Sequence, residues 1–188
     1  MIKNSLIAVL CVALITVVYF WGPRPTKPVN FTVPTASLEE NICEKAATQF
    51  GDCEKVLLFD SDSNLVFAES SLGIVPALTN KDFTQFEKFI PMMDFQEFEE
   101  EAEDRGPIDW RVANKIREDL SIIYGFAEDD AKTIILTSEG NVQPNKFYVR
   151  DNLWVWYTTV EKEKVEVPVE VTVYDENGKI VYGRSVEE

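Results

Sequence analysis

The sequence predicts an α+β protein: an N-terminal transmembrane helix, then a mixed helix and hairpin portion, then a C-terminal antiparallel, sandwich-like β portion. Three observations carry this. Leu6 to Trp21 contains no charged residue, and only Thr16 is polar. Residues 37–120 hold several segments with apolar residues at helical spacing, broken by one hairpin-like stretch. From Ser121 onward, short β-branched and aromatic runs alternate with turn residues. The resulting divisions are an anchor over 1–22, a proline-rich linker over 23–36, a helix-rich portion with a β-hairpin over 37–120, and an antiparallel portion over 121–188.

The anchor comes first. Its sixteen residues reach ~24 Å as a helix, close to a ~30 Å hydrocarbon core once Asn4, Ser5 and Gly22 extend it. A cleaved signal peptide is the competing assignment. The run ends in Tyr19, Phe20 and Trp21, which suit an interfacial aromatic belt rather than a small-residue cleavage site. Lys3 on one side nearly balances Arg24 and Lys27 on the other. The short leading tail and long acidic body favour the N-terminus inside and the body outside. Four of the nine prolines, Pro23, Pro25, Pro28 and Pro34, follow. They make an extended spacer that holds the body off the membrane. Asn30-Phe31-Thr32 matches a glycosylation sequon.

Ser37 and Glu40 form a capping box for a helix over Leu38–Phe50, ended by Gly51. Leu38, Ile42, Ala46 and Phe50 share its apolar face. Lys55–Asp60 and Leu65–Glu69 read as the two strands of a hairpin around Ser61–Asn64. Asp60, Asp62 and Asn64 are spaced like the start of a calcium loop. Leu65 then stands where glycine is needed, and Ser71 where a closing acid is needed, so the segment is an ordinary turn. Phe83, Phe86, Phe89 and Ile90 predict a helix over Asp82–Ile90. Beyond Pro91, Phe95 and Phe98 continue an apolar face into an acidic run. After Gly106-Pro107, Val112, Ile116 and Leu120 predict a third helix from about Asp109 to Leu120. Strands follow at Ser121–Ala127, Lys132–Thr137, Phe147–Val149, Leu153–Val160 and Val165–Tyr174. In the last of these, Val167, Val169, Val171 and Val173 fall on one face, and Pro168 marks an edge or a bulge. Asn177-Gly178 is a two-residue hairpin signal leading into Lys179–Gly183.

Charge is segregated. The chain has 18 bases and 33 acids; residues 1–38 hold three of the bases and no acid, so the rest carries 15 bases against 33 acids, a net of −18. Such a body is repelled by nucleic acid and by anionic headgroups, so no nucleic-acid partner is expected. There is no histidine, which removes the commonest general base and the commonest transition-metal ligand. Neither GxSxG nor SxxK is present, nor a phosphate-binding glycine pattern. No catalytic residue, metal or cofactor is therefore assigned.

Three groups of residues remain as candidates. Cys43 and Cys53, ten apart, form a disulfide if the body lies in an oxidising compartment, and stay buried thiols otherwise. Trp154 and Trp156 point to the same side of their strand, opposite Leu153, Val155 and Tyr157. They are either part of a central, buried strand or an aromatic platform for a sugar or peptide. Glu97, Glu100, Glu101 and Asp104 form either a solvated helix face or a contact surface for a basic partner.

At the C-terminus, Ala131-Lys132-Thr133-Ile134, Leu153-Trp154-Val155-Trp156-Tyr157 and the stretch from Val171 through Asp175-Glu176-Asn177-Gly178 to Gly183 resemble the tails of small membrane-anchored surface proteins of Gram-positive bacteria. Those proteins carry an N-terminal anchor or signal and no assigned activity. The resemblance spans about the last 60 residues and implies an extracytoplasmic location. The expectation is a membrane-anchored binding or structural protein of the cell envelope, held to the membrane by Leu6–Trp21 and meeting a protein or cell-wall partner. Two alternatives are a carboxylate-based hydrolase acting on cell-wall polymer and an accessory subunit of a larger membrane complex.

Overall fold

A computed structural model of the chain describes residues 35–183. The anchor Leu6–Trp21 and the Asn30 sequon lie outside these residues. Among the described residues no helix is long and apolar enough to cross a membrane. The elements, in order, are α1 (Thr35–Phe50), β1 (Cys53–Asp60), β2 (Leu65–Ser70), β3 (Gly73–Thr79), β4 (Phe86–Phe89), β5 (Met93–Asp94), α2 (Phe95–Arg105), β6 (Arg111–Arg117), β7 (Leu120–Ala127), β8 (Thr133–Leu136), β9 (Asn145–Arg150), β10 (Leu153–Val160), β11 (Val171–Tyr174) and β12 (Ile180–Tyr182). The class is α+β, and the strands pair antiparallel.

The strands form three sheets. The first runs β1-β2-β3-β4 with β5 also on β3, the second β6-β7-β10-β9, and the third β12-β11-β8. Period-two alternation sends successive side chains to opposite faces and so joins the sheets into layers. In β2, Val66 and Ala68 meet Leu38 and Ile42 of α1, while Leu65 and Phe67 face the second sheet. In β7, Ile122, Tyr124 and Phe126 join that same core, and Ile123 and Ala127 face the third sheet. In β10, Leu153, Val155 and Tyr157 go one way and Trp156 and Val160 the other. The second sheet is thus apolar on both faces, with the first sheet on one side and the third on the other.

Gly125 marks a close backbone approach in this stack. A Cβ there would lie 2.1 Å from the Asp109 carbonyl oxygen and 2.8 Å from the Trp110 Cα. The segment before β6 lies against β7 at this point: Asp109 N donates to Phe126 O (3.2 Å), Glu128 N to Pro107 O (2.8 Å), and Ile108 bridges Ala127.

Two expected helices are strands. Over Asp82–Ile90, the Asn80 side-chain oxygen accepts from Thr84 N and Gln85 N, and Phe83 has φ +52°. That loop delivers Phe86–Phe89 to the open edge of β3, where Ala77 pairs Phe89 and Thr79 pairs Phe86. Phe83, Phe86 and Phe89 do share one face, against the α1 core. A register shift between Leu78 and Thr79 lets residues three apart point the same way along a strand. The expected helix over 109–120 is β6 with its turn into β7. Its spacing of four is even, so strand and helix both satisfy it. A bulge at Lys115 (φ +53°) then reverses the faces, so that Val112 packs towards the third sheet and Ile116 towards the first.

Four further differences are local. Helix α1 begins at Thr35, so Ser37 lies inside its first turn and the linker is two residues shorter. Strand β3 has no counterpart among the expected elements and is buried along its whole length. Pro76 is tolerated there because its carbonyl accepts from Ile90 N (2.8 Å). The missing N–H points the same way, into the gap between the β5 and β4 pairings. Over Val165–Tyr174 only β11 is strand; Val165 and Val169 are buried, but Val167 is 75 % exposed, and Pro168 precedes the strand. The last hairpin turns over Asp175–Gly178, with Gly178 N on Asp175 O (3.1 Å) and φ +76° at Gly178 alone. This is a longer turn than the two-residue Asn177-Gly178 loop expected.

The expected division at 120/121 falls inside β7, the strand that pairs with β6. The core between the first and second sheets draws on residues from both sides of it, so the described residues form one compact unit.

Gly125→Ala should destabilise the protein by roughly 2–3 kcal/mol, the upper range for overpacking, because the clash is with backbone that no rotamer change relieves. Urea unfolding of the two proteins checks this.

Candidate functional site

Helix α1 ends at Phe50 and β1 starts at Cys53, only a short turn later. Cys43 faces back along the last turns, so its sulfur bonds that of Cys53, with Cα atoms 5.1 Å apart. The disulfide ties α1 to the edge strand of the first sheet. It is a structural clamp; both cysteines are half-buried.

The two tryptophans point to one side of β10, as alternation requires, but have different surroundings. Trp156 is fully buried. Its Nε1 donates to Asp109 O (3.2 Å) and Phe126 O (3.1 Å). It belongs to the core between the second and third sheets and cannot be part of a platform, because β8 and β11 cover that end of the face. Trp154 packs against the margin of the same core and is half-buried. Its partner on β9 in the ladder is Tyr148. Their ring centroids are 5.4 Å apart at 77°, and Tyr148 is 51 % exposed. The platform therefore consists of Tyr148 and Trp154. The expected β9 strand of Phe147–Val149 contained Tyr148; only the ladder register could show which tryptophan it meets.

Both rings are tied at their polar tips. Tyr148 OH donates to Asp151 Oδ1 (3.0 Å) and Trp154 Nε1 to Asp129 Oδ1 (2.6 Å). Asn152 Oδ1 in turn accepts from Asp129 N (3.0 Å). The Lys146 ammonium sits 4.8 Å from the Trp154 ring centroid, a cation–π contact, and donates to Ala131 O (2.5 Å). Its burial, and then nearby Lys132, lower its pKa, while Asp129 acts the other way. The hydrogen bond to Asp151 raises the Tyr148 pKa.

The acidic residues of α2 are largely answered within the chain. Asp94 caps the helix through bonds from Gln96 N and Glu97 N. Glu97 lies 3.5 Å from Arg111 and Glu99 3.7 Å from Arg150. Glu101 pairs with Arg105, and Glu100 accepts from Gln96 (2.6 Å). Asp104 is exposed. Such surface pairs contribute little to stability, but they neutralise much of the charge expected to meet a basic partner. The turn at Asp60–Asn64 is closed by its own hydrogen bonds. Asp60 accepts from Asp62 N (3.0 Å), Ser63 OH (2.6 Å) and Tyr157 OH (3.1 Å). Among the described residues no group of acids and cysteines is arranged to hold a metal ion.

Among the described residues two acidic residues are buried: Glu69, paired with Lys55 (3.2 Å), and Asp109, 3 % exposed. Asp109 is the one joined to β7. Its Oδ1 accepts from Phe126 N (2.5 Å) and its Oδ2 from Arg111 (3.0 Å). Arg111 also donates to Met92 O (2.7 Å). Burial outweighs these partners and raises the Asp109 pKa. Arg117 plays a matching role at the other end of β6, donating to Asn64 Oδ1 (3.0 Å) and to Thr79 O. Neither was visible as a site in the sequence, since each acts across a distance in the chain that no local spacing encodes.

No family model, curated protein or solved structure matches the chain.

Reduction of Cys43–Cys53, or its replacement by two serines, should cost about 2–3 kcal/mol by the loop-entropy relation for a ring this short; the urea midpoint with and without reductant measures it. Asp109 has a folded-state pKa above its unfolded value near 4. Its stabilising contribution is therefore complete below the unfolded value and lost as pH rises through the folded one. Relative to Asp109→Asn, wild-type stability should fall from about pH 4 upward and then level off. An unfolding series across pH giving a flat or rising difference would refute the assignment.

Proposed function

We propose that this is a membrane-anchored extracytoplasmic protein of the cell envelope, acting as a binding or structural module. The observation that carries the proposal is the Cys43–Cys53 disulfide. Such bonds persist in oxidising compartments and are rare in the reducing cytosol. The uncharged stretch Leu6–Trp21 supports attachment to a membrane, and the proline-rich linker supports a body held away from it. The resemblance of the last 60 or so residues to small surface proteins of Gram-positive bacteria agrees with that location. The partner is a component of the cell wall or another envelope protein; the net charge of the body argues against nucleic acid. The Tyr148–Trp154 ledge is the surface best furnished for binding, with an exposed ring beside hydrogen-bonding groups.

A membrane-impermeant thiol reagent applied to intact cells tests the location. Cys43 and Cys53 should label from outside only after reduction, with an intact mass that includes the anchor. Labelling that needs broken membranes and no reductant would place the body inside and end the proposal.

A further inference from the structure

We propose that the ledge of Tyr148 and Trp154 is a stacking site for a neutral carbohydrate polymer built of pyranose rings with apolar faces. This names a ligand class for the binding reading above and rests on it.

Its first support is the aromatic surface. Tyr148 is one of few large apolar side chains left exposed (51 %). It is also held in place, because its hydroxyl is bound by Asp151 and the neighbouring Trp154 is bound by Asp129. Fixed rings lose little conformational entropy when a ligand stacks on them. The C–H face of a pyranose packs against such a ring, while its hydroxyls need hydrogen-bond partners around the rim.

The rim supplies those partners. Asp151 and Asp129 each use one carboxylate oxygen on an aromatic tip, and the other oxygen of each can accept from a sugar hydroxyl. Asn152 uses its carbonyl on Asp129 N, which leaves its amide as a donor. Asp151 and Asn152 lie in the turn between β9 and β10, and Asp129, in the loop after β7, is held beside them by its bonds to Trp154 and Asn152.

Charge then selects the class. A cationic ligand would be repelled by the Lys146 ammonium, which lies 4.8 Å from the Trp154 ring centroid. An anionic ligand would meet Asp129 and Asp151 on a body of strongly negative charge. A neutral, hydroxyl-rich ligand suffers neither penalty. The site is an open surface rather than a cleft, so a single sugar should bind weakly and a polymer should gain from repeated engagement.

Native electrophoresis of the full-length protein in detergent tests this, using gels cast with hydroxyethyl cellulose, with glycol chitin, with alginate, or with no polymer. Retardation in at least one neutral polymer is expected, relative to a reference protein. Tyr148→Ala should abolish it, as should Trp154→Ala. Tyr148 is exposed, so its removal leaves the core intact; the thermal midpoint of both variants checks that they fold. Retardation in alginate alone, no retardation in either neutral polymer, or retardation that survives Tyr148→Ala would overturn the proposal. Such a failure would leave the labelling result, and hence the assigned location, untouched.

Discussion

The central pair of the second sheet, β7 and β10, carries apolar side chains on both faces, and water can therefore be allowed at neither. The first sheet covers one face and the third sheet the other. Helix α1 then covers the outer face of the first sheet. Burying an indole such as Trp156 contributes on the order of 4–5 kcal/mol, against about 1 kcal/mol net for a typical hydrogen bond. Burial thus drives the stacking. The bonds from Trp156 to Asp109 and Phe126 instead fix where the ring lies.

That same junction explains the burial of Asp109. The segment carrying Asp109 has to lie against Gly125 to bring its carbonyl to the Trp156 indole. Asp109 is then drawn out of water with its backbone. Phe126 N and Arg111 satisfy its oxygens, and Arg111 connects onward to the loop before β5 and to α2. A charged pair in such a place does not by itself add stability, but losing either partner strands the other. The pair therefore helps hold the segment before β6 against β7.

Where the third sheet stops, the face of the second sheet opens to solvent. Trp154 and Trp156 are two residues apart on one side of one strand, and the limit of the cover runs between them. This makes one a core residue and the other a residue at its margin. Tyr148 and Lys146, from the neighbouring strand, complete the exposed part. The exposed aromatic surface of this region thus arises where the cover of the central strands ends.

The sequence by itself determined the α+β class, the α1 helix, the first hairpin, the strong strands β7 and β10, and the opposite facing of the two sides of β10. These are local patterns: periodicity, caps and turn residues act within a few positions. It also limited any disulfide within the body to Cys43–Cys53, the two cysteines there, with the bond itself conditional on an oxidising compartment. Tertiary structure alone decided the rest. Apolar residues spaced by three or four in 82–90 and 109–120 suit a helix, and they became β4 and β6 because open edges of β3 and β7 were there to pair with and bulges could reverse a face. Strand β3 holds a proline that only the gap between its two partners excuses. The ledge depended on the register that sets Tyr148 against Trp154 and on how far the third sheet reaches. Register and cover are contacts between segments distant in the chain, and a linear pattern records which residues can be buried without recording what will bury them.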